Sequence, residues 1–62
     1  MFEEGDQVEI IPDSYKSADG THAKGTVIEE ADDKGHCKVE ITEGFGAGTV
    51  GTFGEGSLKT IE

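Results

Sequence analysis

His22, His36 and Cys37 are the chain's soft metal-ligand candidates, and its material for a thiol–imidazole nucleophile. A structural zinc takes four ligands, usually as spaced pairs. His36 and Cys37 are adjacent, and on a strand adjacent side chains point to opposite faces. The two therefore cannot easily chelate one ion together, and the same geometry denies Cys37 a general base in His36. Cys37 is expected as a small core residue and His36 as an exposed one beside a turn. No metal and no cofactor is expected.

Two glycine motifs raise nucleotide chemistry. Gly46-Ala47-Gly48-Thr49-Val50-Gly51 fits G-x-G-x-x-G. A dinucleotide site needs a strand before that motif, a helix after it and an acid about 20 residues further on. No helix can follow here, so the segment reads as a flexible turn entering a strand. Gly20-Thr21-His22-Ala23-Lys24-Gly25-Thr26 echoes a phosphate loop. It lacks the lysine after the second glycine and the helix whose N-terminus would hold phosphate, so it reads as the tail of a loop.

Carboxylates supply the remaining chemistry. Glu29, Glu30, Asp32 and Asp33 cluster around one hairpin. The spaced loop of an EF-hand is missing, which leaves a solvated tip or an acidic patch for a basic protein. A tip of this kind is expected to contribute little to the core. Glu3, Glu4 and Asp6 extend the patch if the N-terminus packs nearby. Phe45, among glycines, and Tyr15, in a long loop, are either exposed partner anchors or covers over the core. The candidate partner-binding residues are thus Tyr15, Glu29, Glu30, Asp32, Asp33 and Phe45.

The elements that must position these residues are few. The chain has 62 residues, enough for one domain with one thin core. Fourteen acids face five lysines with no arginine, for a net charge of −9. Such a surface repels phosphate backbones, so direct nucleic-acid binding is not expected. The acidity is read as solubility, as complementarity to a basic partner, or as adaptation to a salt-rich environment. No apolar run approaches the ~20 residues of a membrane span, so no membrane insertion is expected. Met1-Phe2-Glu3-Glu4 offers no secretory signal, and the single cysteine fits a reducing compartment; a cytoplasmic location is expected.

Hydrophobic periodicity predicts five short strands. Residues 7–11 alternate and stop at Pro12, which lacks an N–H and holds Ile11 extended. Residues 13–24 read as a long polar loop with a turn at Asp19-Gly20. A second strand is expected over 25–31, with a hairpin turn at Asp32–Gly35 in which Gly35 takes a positive φ. The third strand is the clearest: period two buries Cys37, Val39 and Ile41 and exposes Lys38, Glu40 and Thr42. Residues 43–48 turn the chain into strands over 49–53 and 57–61. A long first loop, two hairpins and a tight last link match a small five-stranded SH3-like barrel.

The residues also carry a family resemblance. Gly5-x-x-Val8-x-Ile10, Pro12-Asp13-Ser14-Tyr15 and Gly25-Thr26-Val27 resemble the opening of photosystem I reaction-centre subunit IV. Phe53-Gly54-Glu55-Gly56-Ser57-Leu58 is similar to that family's closing Phe-x-Glu-x-x-Leu segment. The same SH3-like barrel serves the ferredoxin–thioredoxin reductase variable subunit and the nitrile hydratase β subunit, where it is an accessory or docking piece. The resemblance implies a fold and a non-catalytic role. The photosystem family is basic along its first strand and loop, whereas this chain has Glu9 there, and no functional residue is carried over. Gly25-x-Val27 also resembles the short KOW signature of ribosomal barrels, whose RNA-binding use the acidity opposes.

The sequence therefore predicts an all-β SH3-like barrel that is not an enzyme and docks on a protein with a basic surface. Two alternatives stand beside it: a nucleic-acid mimic, such as a phage-encoded inhibitor of a host nucleic-acid-binding enzyme, and a non-catalytic enzyme subunit.

Overall fold

The computed structural model describes residues 2–61. Its strands are β1 (Gln7–Ile10), β2 (Lys24–Glu29), β3 (His36–Glu43), β4 (Val50–Gly54) and β5 (Leu58–Thr60). Two 3₁₀ turns, Asp13–Tyr15 and Glu55–Ser57, complete the regular structure. The chain is all-β, and its strands form one antiparallel sheet in the order β4-β3-β2-β1-β5. β4 and β5 are its edges, and no ladder joins them among the described residues. Closure at the hydrogen-bond level, implied by a barrel, is thus not seen. No helix among the described residues is long and apolar enough to cross a membrane.

Alternation builds the core. In β3 the side chains of Cys37, Val39 and Ile41 are buried while Lys38, Glu40 and Thr42 are exposed, as period two requires. Val8 and Ile10 from β1, Val27 from β2, Phe53 from β4 and Leu58 from β5 join them. Registers bring these side chains together: Val8 lies opposite Gly25 and Thr60, Val27 opposite Val39, and Cys37 opposite Phe53.

Gly25 marks the tightest crossing. A β-bulge falls beside it where β2 meets β3. A Cβ there would collide with the Glu40 carbonyl oxygen and lie 2.8 Å from Val39 Cγ1. Only a bare backbone lets the strands approach so closely.

Several expectations need correction. The first loop is not wholly polar: Ala23 is fully buried, and its carbonyl accepts the Ile10 N–H. β1 stops at Ile10, one residue short of the expected Ile11, and after Pro12 the chain coils through the Asp13–Tyr15 turn and narrows at a Lys16–His22 bridge. β2 stops at Glu29, short of Ala31. The residues expected to begin the last strand include Ser57, which instead ends a 3₁₀ turn leading into Leu58. Beside these differences, two aliphatic side chains, Ile11 and Val50, lie exposed.

Candidate interaction surfaces

The Asp32–Gly35 hairpin is built around a side chain. Asp32 Oδ1 accepts the N–H groups of Lys34 at 2.8 Å and His36 at 3.0 Å. The Asp32 N–H donates to the His36 carbonyl, and Gly35 turns the chain at φ +79°. The His36 and Lys34 amides hold the Asp32 carboxyl below the usual carboxylate range. The tip lies outside the core, as expected, and its own carboxylate orders it. Asp32 braces the turn from an exposed position; Asp33 and Glu30 are exposed too. Glu29 is also engaged: its Oε2 lies 3.2 Å from Lys38 Nζ.

The N-terminal segment does pack against this end. Gly5 N–H donates to the Val27 carbonyl at 2.7 Å, and Val27 N–H donates to the Asp6 carbonyl at 2.9 Å. Phe2 N–H reaches Glu55 Oε2, while Glu55 N–H donates to the Gly35 carbonyl. Glu3, Glu4 and Asp6 thus lie on a segment tied to Val27 of β2 and, through Phe2, to Glu55. The sequence made this extension conditional on N-terminal packing, and the main-chain bonds meet the condition.

The aromatic candidates form a separate group. Tyr15 meets Phe53 edge-on, with ring centroids 5.0 Å apart. It meets Phe45 edge-on at 6.4 Å. Tyr15 is half-buried against the core, and Phe45 stands outside it, 56% exposed. The open alternative thus divides between them: Tyr15 covers the core, and Phe45 is the exposed ring leaning on it.

The six candidate residues do not converge. The acidic hairpin precedes β3 and the Phe45 loop follows it. Eight strand residues separate the two, which is roughly 25 Å. Tyr15 and Phe45 come together at one end; Glu29, Glu30, Asp32 and Asp33 gather at the other.

The residues with possible soft-ligand chemistry also stay apart. Among the described residues, no three of His, Cys, Asp and Glu gather as a metal site. Cys37 is buried and His36 exposed, on opposite faces of β3. Burial pushes the Cys37 thiol up, with Glu55 and Asp32 adding to the shift. His22 Nδ1 is buried without a hydrogen-bond partner among the described residues. Gly46 and Gly48 turn the chain at positive φ directly into β4, with no helix following.

One surface escaped the sequence reading. β4 pairs with β3 on one side and with no described residue on the other. Ile41 donates to Thr49 and accepts from Gly48, so the odd-numbered β3 positions face β4 with their main-chain groups. By alternation, Gly51 and Phe53 bond to β3, while Val50 and Thr52 point theirs outward. The signal was present in composition: residues 44–54 contain no charge in a chain whose charged fraction is 31%.

No family model, curated protein or solved structure matches this chain.

Proposed function

We propose that this chain is a non-catalytic protein-binding module with an SH3-like barrel, and that it docks on a basic surface of a larger protein. The strand order supports the fold reading: β1 lies between β2 and β5, and a 3₁₀ turn leads into β5. The observation that carries the function is where the charge lies. No charged side chain is buried among the described residues, and the two ion pairs found there engage only Lys16 and Lys38. The acidic excess of the described residues is therefore presented to solvent and to partners. Such a field accelerates encounter with a basic surface and depends on salt.

The test begins with capture by the immobilised domain at low salt and identification of the bound protein by mass. Its association rate is then measured at two salt concentrations by surface plasmon resonance. The reading expects a basic partner whose association slows as salt rises. An acidic partner, or an association rate indifferent to salt, would overturn it.

A further inference from the structure

The two edges of a sheet are usually protected by charge, brevity, bulges or cover, because unpaired N–H and C=O groups invite another strand. β5 meets that expectation. It has three residues, exposes Lys59, and has its Leu58 N–H donated to the Glu55 carbonyl. β4 does not. It has five residues, Val-Gly-Thr-Phe-Gly, and carries no charge. Val50 is 54% exposed at the end of β4 that follows the Phe45 loop. Thr52 is exposed further along the same outer face.

We infer that the outer edge of β4 is the docking line of the module, and that its occupant is an extended, lysine- or arginine-bearing segment of the partner added as a sixth strand. The inference rests on the proposed acidic docking role and specifies its geometry. β4 runs from the Phe45 loop to the acidic end, where Gly54 faces His36 and Glu55 bonds to Gly35. A strand laid along it bonds to the main chain of Val50 and Thr52. One end meets Val50, where an apolar side chain finds contact, and the other meets Glu55, which follows β4 and is bonded to Gly35 of the acidic hairpin and to the Phe2 N–H. Glu40, directly across from Val50 on β3, adds a carboxylate within reach of a long basic side chain.

A second copy of this chain is the competing occupant. Each copy carries −9, so pairing two brings like charge together, whereas a basic strand neutralises it. The charge balance selects the basic strand.

The probe is an octapeptide of alternating valine and lysine. Its controls are the same peptide with alternate backbone nitrogens methylated, and a valine–glutamate version. Binding is followed by calorimetry and by the amide signals of the intact 62-residue chain. The lysine peptide should bind, protect the Val50 and Thr52 amides from exchange, and lose roughly tenfold or more in affinity on backbone methylation. Thr52→Pro should cause a similar loss. Because the methylated peptide leaves the protein unaltered, the result does not depend on that variant folding. Salt-sensitive binding that ignores backbone methylation would overturn the strand-addition line while leaving the acidic docking role standing. Equal binding of the glutamate peptide would overturn the docking role itself. Lack of binding by any peptide, or a β4–β4 dimer at low salt, would overturn the inference.

Discussion

β4 and β5 lie at opposite edges of one sheet and are secured by different means. β5 is short and fastened by main-chain bonds at both ends: Ile11 N–H donates to the Ser57 carbonyl and Ile61 N–H to the Gln7 carbonyl. β4 is longer, is bonded to β3 by the main chain beyond both its ends (Ile41 N–H to the Thr49 carbonyl, Glu55 N–H to the Gly35 carbonyl), and is held in addition by a ring. Phe53 is buried, contacts Tyr15, and lies over Gly51, where a Cβ would come within 2.8 Å of the ring. Holding a strand by its inner face leaves its outer main-chain edge unused. An edge strand can thus be firmly part of the core and still available for pairing, because side-chain burial and main-chain pairing are separate requirements.

The sharpest way to break this comparison is to remove the ring. Phe53→Ala should cost about 3–5 kcal/mol. A domain of this length holds roughly 3–9 kcal/mol in total, so the variant should be largely unfolded or close to it. Leu58→Ala, which loosens β5, should cost about 2–5 kcal/mol and less than Phe53→Ala, because no aromatic contact is lost with it. Urea unfolding of both variants checks the order; a larger loss from Leu58→Ala would contradict it.

Proline distinguishes a paired strand from an open edge more finely. Glu40 pairs with Thr26 in the interior of the sheet, and Glu40→Pro removes a ladder donor there. The orphaned acceptor alone should cost about 1–3 kcal/mol. Thr52→Pro removes an outward N–H and should cost less than about 1 kcal/mol, since proline is tolerated on edges. Equal losses in thermal melts would show that the outer edge of β4 is engaged.

The acidic hairpin offers a smaller contrast between neighbours. Asp32→Ala should lower Tm at neutral pH, whereas Asp33→Ala should leave it unchanged or raise it slightly by relieving repulsion. The folded-state pKa of Asp32 is depressed by the His36 and Lys34 amides. Its contribution is therefore complete above the ordinary carboxylate pKa of about 4 and is lost as pH falls through the lower folded value. The Tm gap between wild type and Asp32→Ala should close in acid. A gap that persists at pH ~2 would assign the effect to something other than the ionised carboxylate.

Salt should have the smallest effect. The −9 surface repels itself, and screening shortens that repulsion to about 10 Å at ~0.1 M ionic strength. The isolated domain should melt a few degrees higher in moderate sodium chloride. A steady fall in Tm with added salt would contradict the repulsive reading.

Legibility in the sequence followed locality. The alternation of residues 37–42 and the turn at Gly35 depend on near neighbours, and both stand in the structure. Ala23 was hidden because a small residue amid polar neighbours gives no periodic signal, yet the chain folds it under Ile10. Tyr15 and Phe53 meet across 38 positions of sequence, a distance no local pattern encodes (53 − 15). Asp32 was read for its charge, but its spacing from the Lys34 and His36 amides makes it a brace first. Val50 is apolar yet exposed, because alternation along β4 puts it on the face of Thr52 and opposite Glu40, away from the buried Phe53.

Amide hydrogen exchange on the free, dilute protein tests the open edge most directly. Gly51 and Phe53, bonded to β3, should exchange slowly, while Val50 and Thr52 on the same strand should exchange close to the rate of exposed loop amides. That alternation within five residues is the account's signature. Equal protection of Val50 and Thr52 with Gly51 and Phe53 would mean that the outer edge is already paired, and would contradict the account.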